Sequence, residues 1–282
     1  MPPIIEKKIL VIGEKSWPSA EDVSCLDFCE LDIRGVRITE SLDFECHSPH
    51  GEWEKIDAIL WRGQFDSEVL RQYAVLNLIA ASGVTCINSA ASMLQKGGRI
   101  SSYAALQRSG LPVIKSTFFC GSNGLSYYYH PDFPCVLKVG NWHMGYGKAR
   151  AHDKATWLDA IDMAHIAKDF VGVEPFVTYT KDIRVLVLGD EVAGLERVPS
   201  QWKANVCPTE CRSINVPESL CAMSIRAAQV LGMEILGVDW IQTRDGEWLL
   251  LEANPSPGLE WEGVDWRKKA IALLKAKTHG CY

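Results

Sequence analysis

EILGVDWIQTRDGEWLLLEANPSPG, residues 234–258, is the stretch on which the reading of this chain turns. Asp245-Gly246 stands between two runs rich in aliphatic and aromatic residues, the strongest short-range signal for a β-hairpin with a two-residue turn. With that turn the register is arithmetic: Arg244 faces Glu247, Thr243 faces Trp248, Ile241 faces Leu250 and Asp239 faces Glu252. Residues two apart share a face, so Asp239, Glu252 and Asn254 point one way. Val238, Trp240, Leu249, Leu251 and Ala253 make an apolar face on the other side.

Opposed carboxylates in such a pair stand roughly 5 Å apart and repel unless something positive lies between them. Two readings fit this pair: solvated charges on an exposed hairpin, or a metal site. Two carboxylates and an amide carbonyl form an all-oxygen set, which suits a hard ion such as Mg²⁺ that keeps positions for water and substrate phosphates. The Pro-Ser-Pro-Gly run after Asn254 is a rigid exit that fixes the chain just beyond these side chains.

The chain has 282 residues, 47% of them hydrophobic, enough for two or three cores. A net charge of −6 gives no electrostatic support for a nucleic-acid or anionic-membrane partner. The opening MPPIIEKKILVIG lacks a leader pattern and no apolar run approaches membrane-spanning length, so a cytoplasmic location is expected. A homo-oligomer is compatible with this composition. Ten cysteines are dispersed without a CxxC pair and read as reduced thiols, neither a disulfide scaffold nor a zinc site.

Upstream, ILVIG at 9–13 and AILW at 58–61 read as buried strands, followed by a helical run at 67–82 and a strand at 84–87. Strand, helix, strand at this length is a βαβ unit, so the first ninety residues form a small parallel-sheet domain. Arg62 ends its strand where open α/β sheets place ligands, and is either a contact to a substrate carboxylate or a surface salt bridge. Asn88-Ser89 caps a short helix, and a second runs from 100 to 108 until Gly110. Residues 113–119 and 134–139 read as strands, the latter carrying Lys138 in an apolar run. A lysine there is costly unless paired, and the next loop, GNWHMGYGK at 140–148, supplies mobile backbone amides. Phosphate suits both, although the loop is not a Walker A motif, and a hairpin with an edge lysine fits as well. A helix at 154–170, strands at 171–177, 181–188 and 191–198, and a helix at 217–231 lead back to the hairpin. Alternation puts Asp182 and Arg184 on one face. Arg197 closes the next strand, and Lys203 and Asn205 follow it as candidate substrate contacts with Arg62.

The ordered set Lys138, Gly145/Gly147/Lys148, Glu174-Pro175-Phe176-Val177, Lys181-Asp182-Ile183-Arg184, Arg197, Asp239, Glu252 and Asn254 resembles the ATP-grasp superfamily. KDIRVLVLGDEV and EANPSPGLE are similar to RimK-type and glutathione-synthetase-like carboxylate–amine ligases, and KVGNWHMGYGK and EPFV to synapsins. The resemblance covers most of the chain from Asn88 onward. It implies an α/β and α+β protein: a parallel-sheet pre-ATP-grasp domain (1–90), a central lobe with a glycine-containing lid (91–173) and a C-terminal lobe with the metal site (174–282), the two lobes holding ATP. By family pattern Lys138 contacts the ATP phosphates, the loop carrying Gly145, Gly147 and Lys148 closes over them, Glu174, Pro175, Phe176 and Val177 hold adenine, and Asp182 binds ribose. Asp239, Glu252 and Asn254 match the Mg²⁺ ligands, for one or two ions with Mn²⁺ as a substitute, and Arg184 and Arg197 match the catalytic arginines at the acyl phosphate and substrate carboxylate. Arg99 stands where the family has a phosphate-binding lysine, a departure because the two are not interchangeable. The implied reaction joins small-molecule or peptide carboxylate and amine substrates, forming an amide through an acyl phosphate. A synapsin-like ATP-binding regulator and a kinase that stops at phosphoryl transfer share these motifs.

Overall fold

The computed structural model describes residues 7–17, 23–31, 34–143, 145–198, 202–203, 209–261 and 263–278. Three sheets organise the chain. In the first, β1 (Ile9–Ile12) and β2 (Val23–Leu26) lead into a small antiparallel sheet, β3 (Val36–Ile38), β4 (Phe44–His47) and β5 (Trp53–Lys55), before β6 (Ala58–Trp61), α1 (Val69–Ser82) and β7 (Thr85–Ile87). β2-β1-β6-β7 is wholly parallel. Its central strands are buried along their whole length, which is why they read as unbroken apolar runs. The βαβ unit is as expected; the three-stranded sheet and β2 were not foreseen.

Ser89 caps α2 (Ala90–Lys96) by accepting from the Ser92 amide, and α3 (Arg99–Arg108) follows. β8 (Thr117–Phe119) is shorter than the expected strand. Its predicted first half instead runs along the hairpin, with the Leu250 amide donating to the Pro112 carbonyl at 2.7 Å. After the one-turn α4 (Leu125–Tyr128), β9 (Cys135–Val139) and β10 (Lys148–Ala151) form a hairpin whose loop is the glycine-containing segment. α5 (Lys154–Ala167) and β11 (Val171–Pro175) complete the antiparallel sheet β10-β9-β11-β8. Trp157, Ile161 and Ala164 of α5 pack on Leu137, Val139 and Val171.

The third sheet is built from β12 (Tyr179–Leu188), β13 (Glu191–Val198), β14 (Glu210–Ile214), α6 (Glu218–Leu231), β15 (Ile235–Thr243) and β16 (Trp248–Asn254), ordered β14-β13-β12-β15-β16 and antiparallel throughout. Leu220, Ala227 and Leu231 of α6 cover Val185, Val187, Val238 and Trp240, and Ser224 accepts a 2.9 Å hydrogen bond from the Trp240 indole. α7 (Trp266–Thr278) returns to the first sheet, packing Trp266, Ile271 and Leu274 with Ile9, Val11 and Leu60. No helix of the described residues is long and apolar enough to cross a membrane.

The hairpin corrects the sequence-based register. Its loop has three residues: the Gly246 amide donates to the Thr243 carbonyl and the Thr243 amide to the Glu247 carbonyl, with Gly246 at φ 85°. That is a type I turn closed by a left-handed glycine, which shifts pairing by one residue from the expected two-residue turn. Gln242 therefore faces Trp248, Ile241 faces Leu249 and Trp240 faces Leu250. A bulge then leaves Leu251 unpaired, and Asp239 faces Glu252 after all. Leu250, and neither Leu249 nor Leu251, joins Trp240 in the core.

Candidate functional site

The faces of the two antiparallel sheets not covered by helices enclose a cleft. At one end Ile114, Val136, Ile241 and Leu251 form an apolar slot bordered by Pro175, Phe176 and Val177. The bulge explains why Leu251 and Glu252, adjacent in sequence, both line this cleft. Trp202 closes the same end. The Arg150 guanidinium stands 4.8 Å from the Phe176 ring centre and 5.6 Å from that of Trp202.

Polar side chains gather at the other end. Lys138 Nζ lies 2.6 Å from Glu174 Oε1, and Ser116 Oγ donates to Glu174 Oε2 at 3.2 Å. The Tyr103 hydroxyl accepts from the Ser116 amide, so α3 steadies this buried pair. Burial pushes the Lys138 ammonium below its ordinary range, and the Glu174 charge opposes that. Opposite, Lys148 Nζ is 3.0 Å from Glu252 Oε2, and Arg99 Nη2 and His143 Nδ1 lie 3.5 and 3.7 Å from Oε1. Burial alone would raise the Glu252 carboxyl; Lys148 and Arg99 outweigh it and hold the group well below the carboxylate range.

Pairing along the third sheet sets the remaining acids and arginines side by side, with Asp182 opposite Arg197 across β12–β13 and Arg184 opposite Asp239 across β12–β15. Arg184 donates to both Asp239 oxygens at 2.7 and 2.8 Å. Arg197 Nε donates to Asp182 Oδ1 at 2.6 Å and its Nη2 lies 3.3 Å from Asp239. Burial would raise Asp239, but Arg184 and Arg197 pull it below its ordinary value. Asp182, 1% exposed, is pushed up to about 6 by burial despite Arg197.

The structure thus brings together Arg99, Lys138, Lys148, Glu174, Pro175, Phe176, Val177, Asp182, Arg184, Arg197, Asp239 and Glu252. Asn254 faces Gly237 two residues beyond, its Oδ1 accepting from the Ser256 amide. Gly145 and Gly147 have φ of 80° and 64°, and Lys203 donates to the Gly145 carbonyl at 2.9 Å. Arg62 is buried, bonded to Glu14 at 2.8 Å and to the Pro257 carbonyl at 2.6 Å, so it is no surface salt bridge. Asn205 lies outside the described residues. Sequence reasoning missed His143, Tyr103, Ser116, Arg150 and Trp202; only the lid position of His143 gave a signal.

Six cations, Arg99, Lys138, Lys148, Arg184, Arg197 and Lys203, meet four carboxylates, Glu174, Asp182, Asp239 and Glu252, so a chain that is acidic as a whole carries a locally positive cleft. Such a cleft suits a polyanion. Among the described residues no three His, Cys, Asp or Glu side chains form a metal cluster. The opposed pair Asp239 and Glu252, with the Asn254 amide two residues on, is an all-oxygen donor set of the kind that suits a hard ion taking its other ligands from water and phosphate.

A family model described as "Synapsin, ATP binding domain" matches residues 90–271. The chain is 32% identical over 225 residues to the "Probable alpha-L-glutamate ligase" of Mannheimia succiniciproducens, covering 73% of each protein. In three dimensions it is similar to the ATP-grasp ligase PsnB complexed with a minimal precursor, with a TM-score of 0.68 and 18% identity over 96% of this chain and 99% of that one. The D-alanine-D-alanine ligase from Coxiella burnetii also superposes with a TM-score of 0.68, at 14% identity over 98% and 96% of the two chains. At those identities the two structures speak for the fold.

Proposed function

This chain belongs to the ATP-grasp superfamily, and from that premise we propose that it is a RimK-like, ATP-dependent carboxylate–amine ligase, releasing ADP and phosphate. One observation carries the reading: an apolar slot runs into a cluster of cations in which two opposed carboxylates are each gripped by arginine or lysine. Nucleotide binding alone has no use for Arg184 and Arg197 beyond the phosphate-facing cations, and a purely regulatory role is not favoured.

In this reading the base lies against Val136, Ile241 and Leu251 with Glu174, Pro175, Phe176 and Val177 along its edge. Arg99, Lys138 and Lys148 take the phosphates, and Gly145 and Gly147 let the lid backbone approach them. Asp182, expected at the ribose, also orients Arg197. Asp239, Glu252 and Asn254 would hold Mg²⁺, one ion or two, with Mn²⁺ as a substitute. When bound, the ion neutralises phosphate charge and holds the triphosphate in line for transfer. A substrate carboxylate attacks the γ-phosphorus, giving an acyl phosphate and ADP. An amine then attacks the acyl carbon and phosphate leaves, while Arg184 and Arg197 stabilise the oxyanion. Arg62, Lys203 and Asn205 stand as candidate substrate contacts.

The division into 1–90, 91–173 and 174–282 is part of the same reading. The main sheets β2-β1-β6-β7, β10-β9-β11-β8 and β14-β13-β12-β15-β16 follow one another along the chain and support that three-part division, although β11 runs to Pro175 across the second boundary and α7 returns to the first sheet. A cytoplasmic setting belongs to the same proposal, supported by cysteines that are dispersed along the sequence without a CxxC pair. L-Glutamate is the first substrate to offer, given the name of the 32% identical relative. The test is ADP release across amino acids, peptides and small carboxylates, with hydroxylamine to trap the acyl phosphate. Magnesium-dependent ADP formation that needs one particular acid is expected. ATP bound tightly with no turnover and no hydroxamate on any pair would return the protein to the regulatory class.

A further inference from the structure

The described residues of the lid, 140–143 and 145–147, are held from several sides. The Arg99 amide donates to Asn141 Oδ1 at 2.8 Å and its guanidinium to the Trp142 carbonyl at 2.8 Å, while Lys203 holds the Gly145 carbonyl. Those contacts come from the two lobes that enclose the cleft. A different one comes from His143, 13% exposed at its side chain, whose Nε2 lies 3.1 Å from the Gln64 carbonyl. Gln64 belongs to the loop leaving β6, so among the described residues this is the lid hydrogen bond that crosses to the parallel-sheet domain. A carbonyl oxygen only accepts, so Nε2 carries the proton and donates.

The receiving loop is rigid. Gln64 Nε2 donates to the Ser256 carbonyl at 2.8 Å, Ser256 Oγ to the Gly63 carbonyl at 2.9 Å, and the Phe65 amide to Gln72 Oε1 at 3.1 Å. A Cβ on Gly63 would stand 2.4 Å from Gln72 Oε1, so the chain is packed there with no slack. The same loop is thus stapled to the exit of the hairpin that presents Asp239 and Glu252. Phosphate binding by Gly145, Gly147 and Lys148 does not require any of this.

We infer that His143 is a positioning residue that latches the closed lid onto the β6 exit loop and so keeps water from the acyl phosphate. The inference rests on the ligase reading. Water that reaches the acyl carbon returns the carboxylate and releases phosphate, so ATP is consumed without an amide; the amine must arrive while the lid is down. A single buried hydrogen bond shifts an open–closed equilibrium by about fivefold.

The test compares wild type with His143→Ala, His143→Gln and His143→Asn, using Mg·AMPPNP as the probe. A glutamine amide nitrogen reaches the place of Nε2, whereas asparagine reaches that of Nδ1. Hydrogen exchange of residues 140–148 with the nucleotide bound should rise about fivefold in His143→Ala and His143→Asn and stay near wild type in His143→Gln, while residues 99–108 remain unchanged. With an acid and amine found in the ADP-release screen, ADP formed per amide should rise above one in the first two variants only. Unchanged lid exchange in His143→Ala, or equal behaviour of the Gln and Asn variants, overturns the latch. Failure of wild type to bind Mg·AMPPNP would instead overturn the nucleotide reading, and lid exchange measured without nucleotide still decides the latch.

Discussion

Glu252→Gln is expected to move nucleotide affinity in opposite directions with and without magnesium. The side chain is 15% exposed, and Lys148, Arg99 and His143 stand 3.0, 3.5 and 3.7 Å from its oxygens. Unit charges 4 Å apart interact by about 4 kcal/mol at an effective dielectric of 20. Side-chain rearrangement and water recover most of that, leaving about 1–2 kcal/mol. Glutamine keeps the volume and removes the charge, so Lys148 and Arg99 are released to the phosphates and one repulsion disappears. At 1.4 kcal/mol per decade, ATP in EDTA should bind the variant about tenfold more tightly. With magnesium the sign reverses, because an anionic metal donor is gone, and binding should weaken by at least about tenfold. Titration calorimetry with ATP in EDTA and in excess Mg²⁺ reads both. A shift in the same direction under both conditions would mean that Glu252 is a charge partner of Lys148 and nothing more.

Glu174→Gln strands Lys138 as a buried ammonium without its counter-ion, a change that costs about 3–5 kcal/mol and should lower Tm by on the order of 10 °C; a shift under 1 °C in thermal unfolding would refute the buried-pair assignment. The acids of the cleft give a two-part pH profile. Asp239 and Glu252 are pulled down in the fold, so their stabilisation is present above their unfolded values of about 4 and is lost as pH falls through the still lower folded values. Asp182, raised to about 6, binds its proton more tightly when folded and destabilises above that pH by roughly 2–3 kcal/mol, an effect that fades as pH falls from 6 to 4. Urea midpoints against pH should show that slope in wild type and not in Asp182→Asn. Gly147→Ala puts a side chain at φ 64° with its Cβ 2.9 Å from the Val139 carbonyl, so the lid must distort by about 1–2 kcal/mol, and calorimetry should show weaker Mg·ATP binding while circular dichroism stays unchanged.

The sequence-based reading succeeded where one local pattern and one tertiary outcome coincide. ILVI at 9–12 and AILW at 58–61 are buried on both faces, and an apolar run admits few other solutions in a βαβ context. Lys138 in its apolar strand announced a partner, although the run itself gave no clue that Glu174 would supply it two strands away in sequence but adjacent in the sheet. Residues 36–55 left no trace because their strands are only three or four residues long and mix polar with apolar members, too short for alternation to stand out. Tyr103 and Trp202 acquire a role through what the fold brings against them, and spacing along the chain carries no record of that; His143 was marked only by its place in the lid. The hairpin is the instructive case, because its key pairing came out right through two departures that cancel. Asp-Gly serves a two-residue turn and a three-residue turn with a left-handed glycine equally well, and the chain uses the second. The resulting one-residue slip would have carried Glu252 out of register with Asp239. The bulge at Leu251 takes up that residue, restores the opposition of the two carboxylates and turns Leu251 into the cleft beside them. The bulge therefore belongs to the site, and the same irregularity that hides from alternation counting places an apolar wall and a carboxylate side by side.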